Sequence, residues 1–150
     1  MPCLIVYRSY HRMNTEKVAR EMGEAVGATL TTVEGLRPEA LDGYDLVGFG
    51  SGIYGGRHHR DLLSLVDQAA LDGRDVFIFS TAGGPAERHH QALREALIAK
   101  GCRIVGEFRC PGEFRILRFI TRNEGHPDEQ DLENARQFAT GIGAAQASPR

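Results

Sequence analysis

Three short segments carry side chains and backbone able to do chemistry. The first is Ser9-Tyr10-His11-Arg12-Met13-Asn14-Thr15, followed by Val18, Ala19, Met22 and Val26 at helical spacing. A helix starting there turns its free backbone N–H groups and the positive end of its dipole toward the loop, which makes an anion site by geometry. Ser9, Asn14 and Thr15, with charge on His11 or Arg12, would suit a phosphate; Asn14 or Thr15 also suits the plainer role of helix N-cap.

The second segment is Gly50-Ser51-Gly52-Ile53-Tyr54-Gly55-Gly56. As text it contains G-x-G-x-x-G, but the dinucleotide fingerprint belongs to a first strand-turn-helix and needs an acid ending the following strand. Here the following strand ends at Ser80, so that reading fails. What remains is permissive backbone with one aliphatic and one aromatic side chain, suited to covering a flat aromatic ligand while amides bond its edge. The third segment, Ser80-Thr81-Ala82-Gly83-Gly84-Pro85, offers the same kind of exposed amide.

Other groups carry less. His58-His59 and His89-His90 invite a metal, yet adjacent residues point in different directions and no carboxylate or cysteine joins them at ligand spacing, so they read as surface histidines. Nothing near Cys110-Pro111-Gly112 marks a depressed thiol pKa, and the inert reading leads. Arg103, Arg109, Arg115, Arg118 and Arg122 alternate with Phe108, Phe114, Leu117, Phe119 and Ile120, a pattern of burial with solvated arginines rather than of nucleic-acid contact. A phosphorelay receiver would need acids after the first strand and an aspartate ending the third; Arg8-Ser9 and Gly50-Ser51 stand there instead.

The elements that must position these segments follow from periodicity. Strands are expected at 3–7, 29–33, 45–50, 75–80 and 103–108, and helices at 15–26, 61–70, 87–100 and 128–138. Strands alternating with helices, apolar enough for burial on both faces, predict a parallel sheet wrapped by helices, in the doubly wound order 2-1-3-4-5. Ligands of that architecture bind beyond the carboxyl ends of the strands, at the switch point between strands 1 and 3. Residues 109–126 are left as an irregular excursion near that mouth and 142–150 as a tail.

The chain has 150 residues, the size of one domain, with 41% hydrophobic and 25% charged residues. Disorder and repeats are excluded on composition. A net charge of −2 is far from that of a basic nucleic-acid binder. Three cysteines without a CxxC pair fit a reduced cytoplasm, and no apolar run reaches membrane-spanning length. Glycine is in excess at 18 residues, and Gly48, Gly50, Gly52, Gly55, Gly56, Gly83, Gly84 and Gly112 fall in or beside the strand-end loops, as if to admit a ligand.

Together the three segments resemble the flavodoxin family over essentially the whole chain. Residues 7–19 look like its phosphate loop, usually S/T-x-T-G-N-T, and its first helix. Residues 50–56 resemble the loop packing one flavin face, and Phe79 to Gly84 the loop bonding the pyrimidine edge. Gly125-His126-Pro127, with 131–139, is similar to the ending of short flavodoxin-domain proteins. The resemblance implies the five-stranded flavodoxin-like fold, FMN as cofactor, and redox partner proteins. It implies cofactor contacts from Ser9, Tyr10, His11, Met13, Asn14, Thr15, Ser51, Gly52, Ile53, Tyr54, Gly55, Gly56, Ser80, Thr81, Ala82, Gly83 and Gly84.

The chain departs from the family pattern in three ways. Met13 stands where the family has glycine, and the third loop lacks the aromatic many flavodoxins stack on the flavin. Arg57, His58, Arg60 and Arg88 lie near the mouth, where family members crowd carboxylates. An electron carrier is therefore expected, with cations that stabilise the anionic reduced flavin. Two alternatives stay open: a flavin-dependent enzyme on a small molecule, similar to flavodoxin-like protoporphyrinogen oxidases, with 109–126 as a substrate wall; and an interaction module that keeps the fold without FMN.

Overall fold

The computed structural model describes residues 2–9, 14–117, 120–122 and 125–147, of which 114–117, 120–122 and 147 are described by their backbone alone. Strands β1 (Cys3–Arg8), β2 (Thr29–Thr32), β3 (Leu46–Tyr54), β4 (Arg57–His58), β5 (Asp75–Ala82) and β6 (Arg103–Pro111) form one sheet. Its order is β2-β1-β3-β5-β6, with every neighbour in that series parallel and the two-residue β4 paired antiparallel to β3. Leaving β4 aside, this is the expected order 2-1-3-4-5. A separate antiparallel pair follows, β7 (Phe114–Leu117) with β8 (Ile120–Arg122).

Alternation along the central strands decides which helix each residue meets. Leu4, Val6, Val47, Phe49, Val76 and Ile78 pack with Leu62 and Val66 of α2 (Arg60–Gln68) and with Leu93 and Leu97 of α3 (Gln91–Ala99). Ile5, Phe77 and Phe79 point the other way, onto Val18 and Met22 of α1 (Asn14–Val26) and Ala135, Ala139 and Ile142 of α4 (Glu129–Ala147). Each such aliphatic or phenylalanine side chain, fully buried, contributes about 1.5–3 kcal/mol relative to exposure, so these two layers dominate the fold. No helix among the described residues is long and apolar enough to cross a membrane.

Four expectations need correction. The segment from Gly50 to Tyr54 is strand rather than loop. Gly48 and Gly50 do not open a ligand site: a Cβ on either would stand 2.2 Å from the ring of Phe77 or Phe79. These two glycines make room for phenylalanines from the next strand, and part of the glycine surplus is core packing. Second, 109–126 is not an irregular excursion, since β6 runs on to Pro111 and the β7–β8 ladder follows. Proline lacks an N–H, but β6 is an edge strand, where that loss is tolerated.

Third, the expected tail at 142–150 is helical as far as Ala147. Gly143 lets α4 pass close to α1: its Cβ position lies 3.1 Å from Val26 Cγ1. Fourth, three of the four paired histidines are interior. His58, His89 and His90 are 1%, 8% and 0% exposed, because β4 and the 3-10 turn Glu87–His90 fold over the carboxyl end of β5.

Candidate functional site

The carboxyl ends of β1, β3, β5 and β6 lie in register. Arg8 pairs with Ser51, Ser51 with Ser80, Gly52 with Thr81, and Thr81 with Cys110. The three sequence segments therefore leave the sheet side by side at the β1/β3 switch point.

Of the first segment, Ser9, Asn14 and Thr15 are described; Tyr10, His11 and Met13 lie outside the described residues. Ser9 Oγ accepts a hydrogen bond from Glu16 N at 3.3 Å, occupying one free donor of α1. Thr15 Oγ1 and Thr81 Oγ1 are 2.9 Å apart and both residues are buried, so the α1 terminus touches the β5 tip. Asn14 Nδ2 donates to the Glu113 carbonyl at 2.7 Å, while buried Asn14 Oδ1 has no partner among the described residues. Gly112 permits that approach, since a Cβ there would lie 2.9 Å from Asn14 Nδ2. Gly112 and Glu113 thus join the rim; the first was visible as a glycine, the second carried no signal because it acts through its main chain.

The second segment ends in a hairpin. Ile53 pairs with His58 and Tyr54 with Arg57 across Gly55 (φ +61°) and Gly56 (φ +82°), two successive positive values that glycine supplies without Cβ strain. The Tyr54 ring meets His59 edge-on at 5.1 Å, and the Cβ position of Gly52 lies 3.2 Å from the Tyr54 hydroxyl. Burial raises the Tyr54 pKa, against the opposing charge of Arg8. Ser51 faces away from the mouth: its Oγ accepts from His59 N at 3.0 Å and donates to the Gly52 carbonyl, holding the hairpin down. His59 Nδ1 in turn caps α2 by accepting from Asp61 N at 3.0 Å.

The third segment splits by face. Thr81 turns toward Thr15, whereas Ser80, 1% exposed, turns into the α3 layer. Ala82 accepts from Gly112 N at 3.0 Å; Gly83 is half-buried, and Gly84 is exposed, with open space where a Cβ would be.

Behind this tip runs a polar chain that sequence reasoning missed. Arg94 donates from Nε and Nη2 to the two Glu107 oxygens at 2.9 and 2.8 Å. His90 Nδ1 donates to Glu107 Oε1 at 2.8 Å, so in the neutral ring Nε2 is the acceptor for Ser80 Oγ–H at 2.7 Å. Arg94 holds the Glu107 carboxyl below its ordinary range, and burial lowers the His90 pKa against the attraction of Glu107. Ser80 is too buried to attack a substrate, so the chain orients the β5 tip. Beside it, His58 Nε2 donates to the Phe79 carbonyl at 2.9 Å, and its ring lies 4.9 Å from that of His90. Burial pushes His58 down to about 4. The available signal was Glu107, an acid inside a strand between apolar neighbours.

The remaining polar cluster explains itself. His126 Nδ1 donates to Asp131 Oδ2 at 2.6 Å, Asp128 N donates to the same oxygen, and Asp131 N donates to Asp128 Oδ1, a reciprocal cap on α4. Cys110 is buried and its thiol is pushed up to about 12, against reactivity.

Comparison with known proteins agrees with this geometry. An uncharacterized protein of Methanocaldococcus jannaschii is 40% identical over 147 residues, covering 95% of this chain and 98% of that one. A solved flavodoxin from the domain Archaea superposes with a TM-score of 0.75 at 14% identity over 97% of this chain and 98% of that one. Oxidised flavodoxin 2 of Bacillus cereus gives 0.73 at 23% identity over 99% and 100%. Residues 4–112 match the family described as flavodoxin domain, whose members generally bind FMN, and with a parallel sheet of the flavodoxin order and its rim segments in register this chain belongs to that family.

Proposed function

We propose that this protein binds FMN at the carboxyl rim of the sheet and carries electrons between redox partner proteins in the cytoplasm. The observation that carries the reading is the Thr15–Thr81 contact, which brings the α1 terminus and the β5 tip together at the switch point. The residues fit the cofactor. A helix N-terminus suits the phosphate, and buried Asn14 Oδ1, an acceptor without a partner among the described residues, suits a ligand hydroxyl.

In this reading Ser9, Asn14 and Thr15 hold the phosphate end, together with Tyr10, His11 and Met13 of the same loop. Ser51 and Gly52 support Ile53 and Tyr54 over one ring face, and Thr81 to Gly84 present amides to the pyrimidine edge, with Ser80 fixed from behind by His90. When bound, FMN supplies one- and two-electron redox chemistry. Gly55 and Gly56 allow the Tyr54–Gly55 peptide to reorient toward the flavin without Cβ strain.

Reconstitution tests this directly. The apo chain titrated with FMN is expected to quench flavin fluorescence at one equivalent and to shift the flavin spectrum. Thr15→Val should weaken binding by about tenfold, the worth of one hydrogen bond to a charged group, with unchanged circular dichroism. A folded chain that leaves FMN fluorescence unquenched refutes the reading and supports the interaction module.

A further inference from the structure

The rim of this site carries four arginines that form no ion pair among the described residues. Arg57 closes the hairpin opposite Tyr54, Arg60 opens α2, Arg88 lies in the turn after β5, and Arg109 pairs across the sheet with Ser80. All four are exposed, and none has a carboxylate within salt-bridge distance among the described residues. Of the other arginines described with their side chains, Arg8, Arg20, Arg94, Arg103 and Arg136 each meet at least one carboxylate, whereas Arg37 and Arg74 do not.

Arg57, Arg88 and Arg109 lie near one another, and Arg60 is three residues from Arg57 along the chain. Arg57 and Arg88 line one groove of about 310 Å³ together with Gly55, Gly56, Gln91 and Glu95. Burial lowers the His89 pKa, and Arg88 and Arg109 are both close enough to lower it further. Of the acids of this region, Glu107 pairs with Arg94 and His90, Glu87 lies toward Arg94 at 3.9 Å and Asp61 toward Arg8 at 3.6 Å; Glu95, bonded to the neutral Gln91 amide, faces the groove, where Arg57 and Arg88 outnumber it. A cluster of like charges repels itself, and that repulsion is relieved when carboxylates arrive from outside.

We propose that this arginine rim is the docking surface for an acidic protein partner, one that presents clustered carboxylates beside its own redox group. The proposal rests on the FMN reading and names the partner's chemistry. Guanidinium forks pair with carboxylates in two parallel hydrogen bonds, which fixes orientation as well as attraction. At physiological salt the attraction reaches only about 8 Å, so it acts once the rim is faced correctly, against an overall charge of −2. Nucleic acid fits less well. No aromatic ring on which bases could stack lines the groove.

The test has two arms. In the first, FMN-loaded protein is photoreduced anaerobically and mixed with ferricyanide, an anion, or hexaammineruthenium(III), a cation, each accepting one electron from the reduced flavin. Raising salt from about 20 to about 200 mM should slow the ferricyanide reaction about fivefold or more and leave the ruthenium reaction unslowed, as for a locally positive approach surface. R57E/R60E/R88E/R109E should exchange the two salt dependences. Equal salt slopes in wild type and variant overturn the proposal.

The second arm needs no flavin, so a failure of FMN binding shows only in the first. The ¹⁵N-labelled apo chain is titrated with deca-glutamate. Salt-sensitive shifts are expected at residues 55–60 and 88–91, absent from the variant; shifts elsewhere, or none, overturn the proposal. Single-stranded DNA of equal charge producing those shifts at lower concentration overturns the protein partner.

Discussion

Protonation of His58 should couple the stability of this fold to mild acid. The ring is 1% exposed and donates from Nε2 to the Phe79 carbonyl, so charging it places a cation in the interior. In the native state its pKa is about 4, against 6.5 for an ordinary histidine. Because the folded value is depressed, the unfolded chain binds the proton first. Native stability is thus retained above pH 6.5 and lost progressively as pH falls through the window from 6.5 to about 4. Integrating the proton-binding difference between pH 7 and pH 4.5 gives a loss of about 2 kcal/mol from this residue alone.

His58→Gln isolates the effect, since the glutamine amide can still donate to Phe79 while carrying no titrating group. His59 and His89, whose pKa values burial also lowers, remain in both proteins, while the difference includes the coupling of His58 to His90, 4.9 Å away, and to Glu107. At pH 7 the variant should be less stable by about 1 kcal/mol, the worth of a weakened buried hydrogen bond. By pH 4.5 the order should reverse. Urea unfolding of both proteins at intervals between pH 7.5 and 4.5 measures this. Parallel pH profiles, or a His58 imidazole that titrates near 6.5 in the folded protein, refute the reasoning.

Gly50→Ala should destabilise the protein by about 3 kcal/mol, at the upper end of overpacking costs, because its Cβ would stand 2.2 Å from the Phe79 ring. In a Phe79→Leu background the same change should cost measurably less by urea unfolding, and equal costs would show that the ring is not the obstacle. Cys3 and Cys110, buried and pushed up to about 11 and about 12, should resist a thiol reagent at pH 8 in the native protein and react on unfolding. Immediate release of a Cys110 equivalent would contradict that burial. In the FMN-loaded protein, Arg57→Gln with Arg88→Gln should lower the potential for forming the anionic reduced flavin, and the shift should shrink in high salt; a redox titration with no shift counts against the cationic rim.

Much of the fold was legible because local patterns express it. The apolar runs 3–7, 45–50 and 75–80 are strands buried on both faces, and the helical spacing of Val18, Met22 and Val26 is a helix with one apolar side. The alternation of such units leaves little but a parallel sheet. The positions of the rim segments followed, since strand ends follow from strands. Less legible were segments whose local signal points the wrong way. Gly48 and Gly50 resemble loop residues in isolation, and only Phe77 and Phe79 on the adjacent strand reveal them as packing positions. Pro111 resembles a break, and only the edge position of β6 makes it tolerable.

The polar interior was beyond local reading altogether. His58, His90, Ser80, Glu107 and Arg94 come from β4, the turn after β5, β5 itself, β6 and α3, and no spacing along the chain relates them. By itself the amino-acid sequence determined the five parallel strands, the helices between them and the rim on which a ligand would sit, because those depend on periodicities of two and about 3.6 residues. Tertiary structure alone decided which side chains face that rim and which are spent behind it. Ser51 and Ser80 look like ligand contacts in sequence, yet each hydroxyl turns inward to a histidine. Whether a strand-end residue meets ligand or core depends on which face of the sheet it points to and on what folds over that face, and both are set by contacts distant in the chain.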